Sequence, residues 1–458
     1  MHCAILFMQF FSPKGVVSML IAFKFVVLGL IALVYYYLIN GKFDKAAISF
    51  IAGTIVIFLN SLFKIIPDLS IERLSDFVDF DTIGLLIGMM IILPFIKKAG
   101  FFEYMAVNAL RLSRGNMKAL FITINLTTAL SSAFLNNVST VMVFVPIVLA
   151  ITDSIEKNPF PFLMSLVFSA NIGGTATLIG DPPNMLIGFA AHKSFMDFIY
   201  NVSPGVLIVL FALIIYLMIK EKSYFSLSEK EKLLLKSFMQ RNPREMIKDK
   251  KLLLKSLGAF IGAIIGFTIP PTIVKPSVVA LTAAAVFLLM IKADSKTMSE
   301  VYREIEWSTI FFFLGMFTLI YALEELGIID IVSTLFVKAS VYPFILILLV
   351  LWIPLFATSV LSAVPMVMLM IPIVEKVIQT SQLNAHVSSN IWWALVFGAC
   401  FGGNMTMIGA AANIVVSGLT SNLEKGRITF SNFLKYAFPV VMITGVIATF
   451  YMALKTFL

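Results

Sequence analysis

Ala170-Asn-Ile-Gly-Gly-Thr-Ala-Thr-Leu-Ile-Gly-Asp-Pro-Pro-Asn184 lies inside an apolar run that otherwise reads as a membrane span. A helix in a bilayer has no water to satisfy a broken backbone. Gly-Gly followed by Gly-Asp-Pro-Pro-Asn at that depth is tolerable only where it lines a protein cavity or a water-filled site. The stretch has a partner: Ala399 to Asn413 reads Ala-Cys-Phe-Gly-Gly-Asn-Met-Thr-Met-Ile-Gly-Ala-Ala-Ala-Asn. Gly173 and Gly174 match Gly402 and Gly403, Thr177 matches Thr406, Gly180 matches Gly409 and Asn184 matches Asn413, all at one constant offset. Two broken helices in corresponding halves point to a transporter's binding site.

Composition agrees. The chain has 458 residues, 60% of them hydrophobic, with 43 Phe, and its mean hydropathy is +0.98. Charged residues make up 13%, about half the usual globular share of roughly 25%. A soluble core cannot hide that much apolar surface, so the fold class expected is an all-α polytopic membrane protein in a lipid bilayer. The net charge of +9 sits in Lys and Arg between the apolar runs, which is the positive-inside bias rather than a nucleic-acid footprint. Cys3 and Cys400 give no disulfide framework and no metal spacing. His2, His192 and His386 are scattered. No phosphate-binding Gly-x-x-x-x-Gly-Lys loop, His-Glu-x-x-His or Gly-x-Ser-x-Gly occurs, so neither an ATPase nor an enzyme is indicated.

The chain divides into an N-terminal segment 1–15, a first repeat 16–219, a basic linker 220–251 and a second repeat 252–458. Translation can start at Met1 or Met19. The first repeat holds a hairpin over 119–152, interrupted by Asn136-Asn137-Val138-Ser139, and the broken helix 162–191. The second holds a hairpin over 344–377, interrupted by Ser362-Ala363-Val364-Pro365, and the broken helix 391–419. Phe80-Asp-Thr-Ile with Gly88-Met89 aligns with Trp307-Ser-Thr-Ile with Gly315-Met316, and Leu135 to Val148 aligns with Leu361 to Val374. The segment from Lys220 to Lys255 carries 11 Lys/Arg against 5 Asp/Glu, and Ser228-Glu-Lys-Glu231 reads as a capping box. Trp392 and Trp393 suit an interface belt.

Placing the basic loops in the cytoplasm puts the acidic stretch Pro67 to Asp81 outside. That works if both hairpins are re-entrant, the first dipping from inside and the second from outside. The result is an inverted-topology repeat of about ten transmembrane helices plus two re-entrant hairpins and two broken helices. The protein is then a multi-pass protein of the cell membrane with the 220–255 loop cytoplasmic and both termini outside.

Four backbone interruptions would meet near the midplane. Helix N-termini there favour anions, and carbonyl-rich ends favour cations. The candidate substrate or ion ligands of the first half are Asn136, Asn137, Ser139, Asn171, Gly173, Gly174, Thr175, Thr177, Asp181 and Asn184. Those of the second are Ser362, Gly402, Gly403, Asn404, Thr406 and Asn413. Asp181 is the only acid among them and its repeat mate is Ala410. Asp-Pro-Pro is a helix start with Asp at N-cap; an ionisable group at membrane depth is also a cation ligand or proton acceptor. Asn137 and Asp181 mark a site for Na+. No organic cofactor is indicated; Na+ or H+ would serve as coupling ion.

The run Gly173 to Asn184, preceded by a hairpin tip ending in Val-Ser-Thr and by Pro146, resembles the ion transporter superfamily. It is most similar to the citrate-transporter-like permeases: arsenite permeases, NhaD-type sodium/proton antiporters and pink-eyed dilution proteins. The resemblance covers nearly the whole chain. It implies a homodimer with a scaffold domain and a transport domain moving as an elevator. It also implies substrate and sodium at Asn136, Asn137, Ser139, Gly173, Thr175, Ser362, Gly402 and Asn404. The antiporter and pink-eyed dilution groups carry an Asp-Asn pair at both tips, where this chain has Asn136-Asn137 and Ser362-Ala363. A site short of two carboxylates suits a small anion or oxyanion of the arsenite, citrate or dicarboxylate class. The expectation is therefore a secondary active transporter (symporter or antiporter) of such a solute. A sodium/proton antiporter and a passive anion channel are the alternatives.

Overall fold

The computed structural model describes residues 13–41, 43–238 and 242–457. Cys3, His2 and the Met1 start lie outside the described residues. Those described contain helices and no strand. In the first half, apart from the short helical turns Ile71–Arg73 and Leu74–Phe77, they are α1 (Pro13–Asn40), α2 (Lys45–Phe63), α3 (Phe80–Lys98), α4 (Phe101–Leu112), α5 (Met117–Ser132), α6 (Asn137–Ser154), α7 (Phe160–Gly174), α8 (Pro182–Ala190), α9 (Phe195–Asn201) and α10 (Ser203–Lys220). The linker holds α11 (Glu229–Phe238). The second half holds α12 (Lys250–Gly266), α13 (Pro276–Ile291), α14 (Ser295–Glu304), α15 (Trp307–Glu325), α16 (Ile328–Ala339), α17 (Pro343–Leu361), α18 (Ala363–Thr380), α19 (Ala385–Gly402), α20 (Ala411–Leu419) and α21 (Phe430–Phe457).

Helix ends fall where side chains can satisfy them. Asp44 accepts from the Ala46 and Ala47 amides, Asn116 from Lys118 and Ala119, and Asp249 from Lys251 and Leu252. The capping box of the linker forms as read, with the Ser228 amide donating to Glu231 at 2.6 Å. Lys157 ties the linker back, donating to the Tyr224 and Ser226 carbonyls at 3.0 and 2.7 Å.

Among the described residues nine helices are long and apolar enough to cross a membrane: α1 (from Val17), α2, α3, α6, α10, α15, α17, α18 and α21. The hairpin arms α6, α17 and α18 pass this test of length, whereas α13 is shorter.

The chain forms two compact units that cut across the repeats. The smaller takes residues up to 80, 306–341 and 368–382. Its α2 and α15 meet at Gly53 and Gly315, where a Cβ on Gly53 would stand 2.9 Å from the Gly315 carbonyl oxygen. Asn60 fastens the following loop, donating to the Ile66 and Leu69 carbonyls at 2.8 Å. The larger unit takes 81–305, 342–367 and 383–458. Within it, α3 meets α13 at Gly88, 2.6 Å from the Ala280 carbonyl carbon for an added Cβ. Gly88 is the repeat mate of Gly315. The third helix of each repeat therefore packs on the second helix of the other, and both crossings are close enough to require glycine.

Two readings change. The hairpin interruptions are shorter than the sequence suggested. The first is confined to 133–136, because Asn136 caps α6 and Asn137, Val138 and Ser139 are already helical. The second is Ser362 alone, because Pro365 sits in the first turn of α18, where no amide is needed. Trp392 and Trp393 do not face an interface. They are 6% and 1% exposed, and Trp393 meets the Phe198 ring edge-on at 5.2 Å. Two indoles on adjacent positions of a helix enclosed by α8, α17 and α21 are core.

Candidate functional site

Both helix breaks lie in the larger unit. The first begins where α7 tightens: Thr175 and Ala176 donate to the Ile172 and Gly173 carbonyls at 3.2 and 3.0 Å. It ends at Asp181, extended at φ −146° and ψ 138°, before Pro182 starts α8. The second ends at Ala410, with φ −141° and ψ 147°, before α20. The same backbone shape forms with and without Asp-Pro-Pro, so the prolines do not cause it. An asparagine closes each break. Asn184 Nδ2 donates to the carbonyls of Gly174, Thr175 and Thr177 at 3.0, 3.2 and 2.7 Å. Asn413 Nδ2 donates to Gly403 and Thr406 at 2.8 Å each. Carbonyls freed by the break thus find partners without water.

Each break is pinned to its own hairpin by equivalent contacts. Thr177 Oγ1 donates to the Ala133 carbonyl, and Thr406 Oγ1 to that of Ser359. A Cβ on Gly173 would stand 2.3 Å from the Ala129 carbonyl oxygen, and one on Gly402 2.2 Å from that of Leu355. Ala133 and Ser359, like Ala129 and Leu355, are repeat mates.

The tips differ. At the first, Asn136 is the N-cap of α6 and accepts from the Ser139 amide at 2.7 Å. Ser132 Oγ donates to Asn137 Oδ1 at 2.7 Å. At the second, Asn136 is replaced by Ser362, which has φ 68° and ψ 157°, a region populated essentially by glycine. Thr358 is the mate of Ser132, but the mate of Asn137 is Ala363, which accepts nothing from its side chain. Thr358 Oγ1 is accordingly buried without a hydrogen-bond partner.

The breaks also reach across to each other. Asn171 Nδ2 donates to Asn413 Oδ1 at 2.9 Å and to Asn404 Oδ1 at 2.8 Å. Cys400 Sγ donates to Asn184 Oδ1 at 3.2 Å. Asn171 and Cys400 are repeat mates, as are Asn413 and Asn184. Each half supplies the donor that orients the closing asparagine of the other.

The structure therefore brings together Asn137, Asn171, Gly173, Gly174, Thr175, Thr177, Asp181 and Asn184 from the first repeat, and Gly402, Gly403, Asn404, Thr406 and Asn413 from the second. Several of the candidate ligands are occupied structurally. Asn136 caps, Thr175 Oγ1 donates to the Asn171 carbonyl at 3.0 Å, and Asn184 and Asn413 clamp backbone. Asp181 holds the N-cap position but makes no capping bond. It is partly exposed, and its carboxylate is a hydrogen-bond partner of the Asn137 side chain. Among the described residues no three His, Cys, Asp or Glu side chains form a metal cluster. Sequence reasoning missed Ser132, Thr358 and Cys400. The repeat alignment itself would have flagged Cys400, as the mate of Asn171.

A multi-pass helical membrane protein whose two halves carry matching, mutually clamped helix breaks has the architecture of a membrane transporter. The chain belongs to the citrate transporter family, whose sequence model matches residues 13–398. It is 34% identical over 385 residues to an uncharacterised transporter of Mycobacterium tuberculosis, covering 83% of this chain and 87% of that one. It is 28% identical over 426 residues to an uncharacterised transporter of Synechocystis, covering 87% and 92%. It is also 28% identical over 464 residues to the P protein of Homo sapiens, covering 84% of this chain and 54% of that one.

Proposed function

We propose that this membrane transporter is a secondary active carrier of a small anion or oxyanion, coupled to H+ or Na+. One observation carries the reading: the side chains at the two breaks spend the freed carbonyls. Asn184 takes three and Asn413 takes two. Those oxygens are the natural ligands of a cation. The N-terminus of α8 lies at Asp181, beside Asn137 in the first turn of α6, and α20 packs on α6; among the candidate ligands only Asp181 is a carboxylate, a balance that favours a negatively charged solute. Asp181, unused as a cap and beside Asn137, is the group for the coupling cation, Na+ or H+.

On this reading the hairpins are re-entrant and enter from opposite faces, 220–251 is cytoplasmic, and two copies form a dimer in which the site-bearing unit moves as an elevator. A sodium/proton antiporter is the second reading, favoured by the same carboxylate. Purified protein in liposomes, loaded with citrate or arsenite under an imposed Na+ or H+ gradient, separates the two. Uphill accumulation of the solute is expected, and Asp181→Asn should abolish its dependence on the ion gradient. Sodium-driven proton flux with no solute movement would establish the antiporter instead. Strictly downhill flux would establish a channel.

A further inference from the structure

The hydrogen bonds at the crossing of the two breaks run in one forced direction. Asn413 Nδ2 is committed to the Gly403 and Thr406 carbonyls, so its Oδ1 must accept. Asn171 must then present Nδ2 to it, and its second N–H goes to Asn404 Oδ1. Neither amide can be flipped without setting like against like. The chain of donors ends in two atoms with no protein partner: Asn171 Oδ1, an acceptor, and Asn404 Nδ2, a donor. They flank the one hydrogen bond that joins the two side chains. The residues are 2% and 0% exposed. Buried amide atoms at such a depth are seldom left unmet.

We infer that this crossing is a binding site for a neutral hydroxyl, which donates to Asn171 Oδ1 and accepts from Asn404 Nδ2. An anion would be repelled by the first and a cation by the second, so neither ion satisfies both. The site exists once. At the pseudo-symmetric position the mates are Cys400 and Thr175, and Thr175 spends its hydroxyl on the Asn171 carbonyl at 3.0 Å. The hydroxyl belongs either to a water or to the transported solute; in the second case the inference rests on the transporter reading and narrows its substrate to a hydroxylated acid.

The test uses pairs of solutes that differ by one hydroxyl: citrate against tricarballylate, and malate against succinate. Uptake of each is measured in proteoliposomes of the full chain, wild type and Asn404→Thr. Threonine is the residue of the other repeat at this place. Its hydroxyl would bond the Cys400 carbonyl as that of Thr175 bonds Asn171, so the fold is kept and the donor removed. A cryo-EM map of the solute-free protein is read at the same point. If the solute supplies the hydroxyl, one hydroxylated member is preferred about tenfold or more in the wild type, and the ratio collapses in Asn404→Thr. If water supplies it, neither pair is discriminated and the map shows a water bonded to both amides. Equal uptake within each pair together with no density between Asn171 and Asn404 overturns the inference. Failure of all four solutes to accumulate sinks the anion reading alone, and the map still decides the hydroxyl.

Discussion

At the scale of single residues, Ser362 is held in a backbone region that costs a non-glycine residue about 1–3 kcal/mol. Glycine would relieve that cost and lose roughly 0.5–1 kcal/mol to the freedom of the unfolded chain. Ser362→Gly should therefore raise the thermal stability of the purified protein, and Ser362→Val should lower it. A melting temperature that falls in the glycine variant would contradict the strain. Asn184 offers a second test. Asn184→Asp keeps the shape but sets a carboxylate against three carbonyl oxygens, so it should destabilise more than Asn184→Ala, itself expected to cost about 1–3 kcal/mol. Thermal unfolding of the two variants side by side gives the order. The glycines and asparagines of both breaks were legible in the sequence, because they recur at one constant offset in the two halves. The φ of Ser362 and the partnerless Thr358 hydroxyl were not. Both are set by what the opposite tip lacks, and a residue type alone does not carry that.

At the scale of elements, the seating of α7 on α5 and of α19 on α17 depends on glycine at 173 and 402. Gly173→Ala or Gly402→Ala should cut folded yield and uptake at least tenfold, since the added carbon meets backbone at both positions, and at 402 the Thr358 hydroxyl as well. Gly258 on α12 has nothing within 4 Å of an added Cβ, so Gly258→Ala should be tolerated and serves as the control. The end of α3 is tied to α14 by Lys98 and Glu300 at 2.5 Å. The bond and charge of Lys98 hold the Glu300 carboxyl below its usual range. A depressed carboxylate stabilises above its unfolded pKa, about 4.3, and that contribution disappears as pH falls through the folded value. Hydrogen exchange around Glu300 in α14, relative to its intrinsic rate, should thus quicken on acidification below about pH 4, and Lys98→Ala should lessen that dependence while leaving the part due to the Asp294 cap. The all-helical membrane class and the neighbourhood of each helix interruption were readable from hydropathy and from Asn and Pro spacing. The exact breaks were not, because Asn137 and Pro365 are equally at home in a first helical turn.

For the whole molecule, the repeats found in the sequence are not the units found in space. Helices α1 and α2 join α15 and α16 from the other half, with the crossing at Gly53 and Gly315 drawn from one helix of each repeat. Sequence order could show the duplication but not this exchange. The proposed opposite approach of the two hairpins is directly checkable in a background with Cys3 and Cys400 changed to Ser. Asn136→Cys should react with a membrane-impermeant thiol reagent from the cytoplasmic side, and Ser362→Cys from the outer side. Labelling of both from one face would exclude an inverted arrangement.

The exchanged donors of Asn171 and Cys400 bear on how such a chain can evolve. After a duplication, each copy ordinarily drifts on its own. Here the amide that closes one copy is aligned by a residue of the other, so a change at 413 is felt at 171, and one at 184 is felt at 400. Substitutions in natural relatives should therefore be correlated between halves, 171 with 413 and 400 with 184, more strongly than within a half. The two copies then share one mutational history, and splitting them into separate genes would require both to be inherited together.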